Sequence, residues 1–231
     1  MRTGEGIDNG GWDYVHAHPK VFSDAEVELH YRLSISHNLF KNRKIQEFWG
    51  SHVADFFAGK AELPCGEIVC PSDYIHLFYL LHHAFRHLIS GGIGLRQMMD
   101  IYFAVLHRDA GMDARLMKDV KDMGMTRFAS ATMWVLQTVF ALPEIPSLWN
   151  ADEAEGQFLL NEIMAGGNFG HGDTRFRHPT SRAGKLVEIA RRNLHLLSHY
   201  ESDALAAPFY YIWHFFWKRI QICRMWFRCR I

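Results

Sequence analysis

Tyr74-Ile-His-Leu-Phe-Tyr-Leu-Leu-His-His-Ala-Phe-Arg-His-Leu88 is the stretch on which the fold of this chain turns. At 3.6 residues per turn, Ile75, Leu77, Phe78, Leu81, Ala84, Phe85, Leu88 and Ile89 cover one broad apolar side. His76, Leu80, His83 and His87 fall on a stripe opposite it, and His82 with Arg86, again four apart, makes a second polar edge. Pro71-Ser-Asp-Tyr74 places proline and capping residues at the start, and Gly91-Gly-Ile-Gly94 ends the run. The reading is an amphipathic helix of about five turns, too polar on one side to be a membrane span.

Moving outward, helical periodicity dominates. Helices are expected over 40–57 (with Gly59 as the stop), 95–107, 114–123, 126–142, 152–164, 181–198 and 208–228. One stretch breaks the pattern. In Ala25-Glu-Val-Glu-Leu-His-Tyr-Arg-Leu33, Val27, Leu29, Tyr31 and Leu33 alternate with Glu26, Glu28, His30 and Arg32. That is the period of a half-buried strand with one polar face. The fold class is therefore mainly α, with a short β segment at the N-terminus followed by a multi-helix domain.

Composition narrows the function classes. Lysine plus arginine equals aspartate plus glutamate at 25 each, so no global charge draws the 231-residue chain toward nucleic acid. Fifteen histidines, titrating near pH ~6.5, predict a strongly cationic molecule after mild acidification. The four cysteines (Cys65, Cys70, Cys223 and Cys229) lack zinc-knuckle spacing and are few for a disulfide scaffold, which favours reduced thiols. The first residues carry no apolar signal segment and no run suits a transmembrane helix, so a cytoplasmic protein is expected.

Several features carry a chemical reading beside a structural one. His83-x-x-x-His87 can offer two imidazoles to one metal, but a helix supplies only two such ligands. Polar-face histidines meeting solvent, phosphate or a neighbouring domain are the simpler reading. Arg96 and Asp100, four apart, suit an intrahelical ion pair; alternatively Arg96 is buried beside the histidine helix and shapes an anion pocket. Gly166-Gly-Asn-Phe-Gly170 lacks the lysine of a phosphate loop and reads as a helix cap and turn. In the last helix, Phe209, Ile212, Trp213, Phe216, Ile220, Cys223 and Phe227 form a stripe suited to core packing. Its other aromatics and its arginines could instead contact a partner or a membrane surface.

Val27-Glu-Leu-His30, Leu81-His-His-Ala-Phe-Arg-His-Leu88, Gly94-Leu-Arg-Gln-Met-Met-Asp100 and Gly166-Gly-Asn-Phe-Gly170 occur in that order. Together they resemble the uncharacterised nucleotidyltransferase family of bacteria, a branch of the DNA polymerase β-like superfamily. The resemblance implies a small catalytic sheet, here a partial β region over 1–36, and a helical domain over 37–231. It also implies transfer of a nucleotidyl group from a nucleoside triphosphate to an unknown acceptor, with Mg²⁺ bridged by three carboxylates.

Only the third of those carboxylates has a match, at Glu28. No Gly-Ser turn followed by Asp-x-Asp precedes the strand, and Asp8 and Asp13 cannot replace a strand pair pointing to one face. The expectation is a C-terminal portion of such a protein, truncated or encoded by a gene whose start was lost. Alone it would be inactive and would hold no Mg²⁺. His30, His83, His87 and Arg96 are then candidate ligand-binding residues lining a nucleotide or acceptor cleft. The alternative is a non-catalytic module recognising an anionic ligand or a partner protein.

Overall fold

The computed structural model describes residues 16–19, 21–24, 27, 29–167, 172–175 and 181–228. Two short strands come first, β1 (His16–Ala17) and β2 (Leu29–His30), antiparallel with His16 opposite His30. Then follow α1 (Leu39–Ser51), a 3₁₀ turn over Val53–Phe57, and an antiparallel hairpin of β3 (Gly59–Leu63) and β4 (Gly66–Cys70). The remainder is helical: α2 (Asp73–Ser90), α3 (Leu95–His107), α4 (Asp113–Asp122), α5 (Thr126–Phe140), α6 (Glu153–Gly166), α7 (Arg182–Leu196) and α8 (Glu201–Arg228). The mainly α expectation, with a short β segment, holds.

Helix α2 is central because its apolar side is buried from end to end. Ile75, Leu77, Phe78, Leu81, Ala84, Leu88 and Ile89 are all buried, as the wheel predicts. Phe78 stacks on Phe48 of α1 at 4.1 Å and meets Trp49 edge-on at 5.4 Å. Phe85 lies 5.3 Å from both Phe128 of α5 and Tyr200, just before α8. Each buried side chain of this size stabilises the fold by about 1.5–3 kcal/mol relative to exposure. The ends are held by polar groups. Ser72 caps the first turn by accepting from the Ile75 amide, and the Arg192 guanidinium of α7 donates to the Leu88 carbonyl at 2.7 Å.

A second polar anchor secures the far side. Glu162 of α6 accepts from both guanidinium nitrogens of Arg175 (2.7 and 3.1 Å) and pairs with His195 of α7 at 2.9 Å. Asp173 takes further bonds from Arg175. Burial by itself would raise the Glu162 pKa, but the bonds from Arg175 and His195 outweigh it and hold the carboxyl below its usual range. Gly167 closes α6, its amide donating to the Ile163 carbonyl at 2.9 Å, so the start of the glycine-rich stretch is a helix cap. Residues 168–171 of that stretch lie outside the described residues.

Three expectations are corrected. Among its described residues the alternating stretch is a strand at Leu29–His30 only, and its expected faces are not kept: Leu29 and Tyr31 are 55 % and 52 % exposed, while His30 and Arg32 are half-buried together with Val27 and Leu33. Alternation tells which residues share a face but not what covers that face, and a two-residue ladder brings no second layer to bury it. The helix expected over 40–57 stops at Ser51, and the β3–β4 hairpin after it has no counterpart in the sequence reading. Its strands are largely exposed and so show no buried alternation, leaving the Pro64-Cys65-Gly66 turn as the available signal. Cys65 in that turn and Cys70 are free thiols. Finally, α8 begins at Glu201, so Pro208 lies inside the helix, where it removes one backbone bond.

The tightest helix contact is α5 against α6, where Gly156 sits on Trp134. A methyl group added at Gly156 would come within 2.5 Å of the Trp134 ring. Gly→Ala inside an exposed helix normally stabilises by about 1 kcal/mol. Here Gly156→Ala is expected to destabilise by about 1–3 kcal/mol, because the ring must move in a packed interface. Chemical denaturation checks it, and an unchanged or higher midpoint would reject the close packing.

Candidate functional site

Five parts of the chain converge at the polar edge of α2. The segment Ile35–His37 follows β2, Lys41 comes from the first turn of α1, and His82 with Arg86 comes from α2. Met123 and Met125 flank the turn between α4 and α5, and Asp203 comes from the first turn of α8. These residues, with Phe85 and Ile89, line a narrow cavity that is partly open to solvent. Ile35, Phe85, Ile89 and the two methionines give it partly apolar walls, beside which electrostatic interactions are less screened than in bulk water.

Local structure places each polar group. Asn38 caps α1 by accepting from the Phe40 and Lys41 amides, which directs the Lys41 stem toward α8. Its ammonium meets the Asp203 carboxylate at 2.5 Å, and Asp203 also accepts from Ser202 Oγ at 3.0 Å and Ser36 Oγ at 3.5 Å. Gly124, at φ +70°, adopts a left-handed turn, and a methyl group there would lie 3.0 Å from the Lys41 ammonium nitrogen. Two independent demands, backbone conformation and room for a cation, thus meet at one residue.

The histidines behave differently from the composition-based expectation. Burial, and then the field of Arg86, lowers the pKa of both His37 and His82 to about 3, with His214 and His83 plus Lys41 adding smaller pushes respectively. His87, less deeply placed, is lowered to about 4 by burial and Arg86. These three stay neutral through mild acidification, which corrects the picture of a uniformly cationic molecule. His37 also stacks on Tyr210 of α8 at 4.4 Å.

The candidate residues read from sequence separate into groups. His83 and His87 are brought together, their Nε2 atoms 2.9 Å apart with one donating to the other, and Tyr79 stacks on His83. His76 and Leu80, placed on the same stripe by the wheel, turn instead to an open groove shared with Asp73, Asp100, Phe103 and His107. His30 is half-buried on β2. Arg96 is exposed in the first turn of α3, so its burial beside the histidine helix is corrected: the turn over 91–94 points that residue to solvent. Glu28, with Glu26, Asp8 and Asp13, lies outside the described residues. Among the described residues, no group of three or more His, Cys, Asp or Glu side chains could hold a metal ion.

A family model described as uncharacterised nucleotidyltransferase matches residues 5–141, more than half of the chain. The chain belongs to that family. No curated protein and no solved structure matches it. The cavity draws all of its lining except Asp203 from the matched segment of the nucleotidyltransferase family, and Asp203 from α8 beyond it.

Sequence reasoning missed Lys41, His37, Asp203 and the importance of Arg86, because their relation is made by packing between distant elements. The spacing of His82 and Arg86 along one helical edge was the available signal. The aromatic stripe of α8 was expected to pack in the core, yet Phe209, Phe216 and Ile220 are 74 %, 59 % and 53 % exposed. The described part of the fold packs α8 mainly through its first two turns, where Asp203, Ala204 and Ala207 are buried. No described helix is long and apolar enough to cross a membrane.

The buried histidines set a pH dependence of stability. Their folded pKa values lie below the ordinary 6.5, so the unfolded chain takes up protons that the folded chain refuses. The stabilisation is complete above pH 6.5 and is lost as pH falls toward 3, by about 1.4 kcal/mol per pH unit for each fully buried histidine. Carboxylates such as Glu162 titrate lower and do not act in the upper part of this window. The urea midpoint at pH 5 should therefore lie well below that at pH 7.5, with a shallower slope in His82→Gln. Equal midpoints at both pH values would mean that the buried histidines protonate in place.

Proposed function

We propose that this chain is the helical portion of a nucleotidyl-transferring protein, a β region over 1–36 leading into a helical domain over 37–231, and that the polypeptide by itself transfers no nucleotide. Its match to the nucleotidyltransferase family over residues 5–141 is the observation that carries the reading. In such chemistry the reactants are a nucleoside triphosphate and an acceptor, and the transition state is stabilised by metal ions held between carboxylates.

The donor set does not fit that metal site. Mg²⁺ requires oxygen ligands in near-octahedral order. Glu28 is the one carboxylate at a family position, and the chain has no Asp-x-Asp pair beside it. Asp203, the carboxylate of the cavity, is already engaged by Lys41 and two hydroxyls. The role that this chain's own residues support is binding: His83 with His87 and the edge formed by His82 and Arg86 line a surface for an anionic reactant.

The second reading, a non-catalytic module recognising an anionic ligand, is favoured by the same excess of cationic and imidazole groups over free carboxylates at the cavity. Pyrophosphate release by the purified chain, with Mg²⁺ and each of the four ribonucleoside triphosphates, tests the first. The expected result is no release above a protein-free control. Release that is abolished in Glu28→Gln would overturn the inactivity of the isolated chain and make Glu28 a working ligand.

A further inference from the structure

The cavity between Ile35–His37, α1, α2 and α8 contains a positive charge that no described residue pairs with. Arg86 is half-buried on α2, and among the described residues nothing accepts a hydrogen bond from its guanidinium. Its field is nevertheless strong enough to appear behind the depressed pKa of His37, His82 and His87 alike. The other cation, Lys41, is matched by Asp203, whose carboxylate also takes bonds from Ser36 and Ser202. That acid is already engaged by three donors, and Arg86 has no carboxylate partner among the described residues. With His37 and His82 neutral, the charged groups are two cations and one anion.

A second observation points the same way. His82 is 5 % exposed, and its Nδ1 finds no hydrogen-bond partner. Buried polar atoms are nearly always satisfied, and each one that is not costs about 1–3 kcal/mol. The half-buried guanidinium of Arg86 keeps its nitrogens accessible at the cavity, where a ligand can reach them. Both fall on one edge of one helix, four residues apart, beside the same cavity. A buried imidazole nitrogen without a partner beside an accessible guanidinium without an acceptor suits a ligand that supplies hydrogen-bonding oxygens to both.

We propose that this cavity binds a phosphate-class oxyanion, with Arg86 as its principal donor and Lys41 and His82 flanking it. The ligand is a phosphoryl group, either free or at the end of a larger molecule, because the space is too narrow for a whole nucleotide. Donors come from different elements around the cavity, an arrangement that suits the four directions of a tetrahedral oxyanion better than a planar carboxylate. Apolar Ile35, Phe85, Ile89 and the two methionines shield the charge pair from water. The proposal rests on the anionic-reactant part of the function above and does not require that the chain transfer a nucleotide, so the two can fail separately.

Calorimetric titration of the full chain with inorganic phosphate, and separately with ATP without metal, tests it. Saturable phosphate binding is expected, weakened about tenfold or more in Arg86→Gln, the loss of one charge-assisted donor. His76→Gln, on the same helix but in another groove, should bind as the parent chain does. Arg86→Lys, which keeps the charge and loses the planar fork, should bind with intermediate strength, and circular dichroism confirms that each variant is folded. Phosphate binding without ATP binding identifies a free oxyanion as ligand; tighter ATP binding that is equally lost in Arg86→Gln identifies the phosphoryl end of a larger molecule. Absence of binding to both probes, or affinity unchanged in a folded Arg86→Gln chain, overturns the site. Neither of those results bears on pyrophosphate release, which alone decides the transfer reading.

Discussion

The burial of one side of α2 is the constraint from which the rest of the structure follows. Phe78 fixes the helix's rotation by packing against Phe48 and Trp49, and Phe85 does the same one face along against Phe128 and Tyr200. A helix held on both flanks cannot rotate without exposing several large side chains, each worth about 1.5–3 kcal/mol. Its remaining edges are thereby assigned. One, with His82 and Arg86, is driven into the protein toward α1 and α8. Another, with His83 and His87, forms a paired-imidazole surface. The start, at His76, opens to the α3 groove.

Electrostatics then follows from placement. In water a histidine beside an arginine is unremarkable, but at His82 the same pair sits where solvent cannot screen it. The imidazole stays neutral, and the guanidinium is left with charge to share. Lys41 and Asp203 illustrate the opposite solution, a buried cation matched by a carboxylate that is itself bonded to Ser36 and Ser202. The Glu162–Arg175–Asp173 cluster is a third case, in which acids surround the arginine so fully that both carboxyls are held in the charged state. Arg86 alone of these three cations lacks such a partner among the described residues, and this distinguishes a structural ion pair from a candidate binding group.

Helix α8 joins two different environments. Its first turns are part of the core and close the cavity through Asp203, while farther along Phe209, Ile212 and Phe216 face outward. The family match ends at residue 141, so the helix that completes the cavity is contributed from outside the matched segment. The segment matched to the nucleotidyltransferase family thus supplies most of the cavity lining, while the closing acid and the aromatic face lie C-terminal to it.

Periodicity alone determined most of the helical architecture. The helix over Leu95–His107 lies where the pattern puts it, and the apolar side of α2 is buried residue for residue, because a 3.6-residue repeat and its caps are local properties of the chain. The motif order likewise led to the family. What the sequence could not determine was which polar edge would be covered. Ala25–Leu33 shows a two-residue period, yet Leu29 and Tyr31 face outward; the stripe on α8 shows a helical period, yet Phe209, Ile212, Phe216 and Ile220 stay exposed. Arg96 and Arg86 look alike as arginines on amphipathic helices, one in water and one in a cavity with Lys41 and Asp203. Only tertiary packing decides between them, because desolvation depends on neighbours from other elements of the chain, and the chemistry of the histidine helix rests on that desolvation.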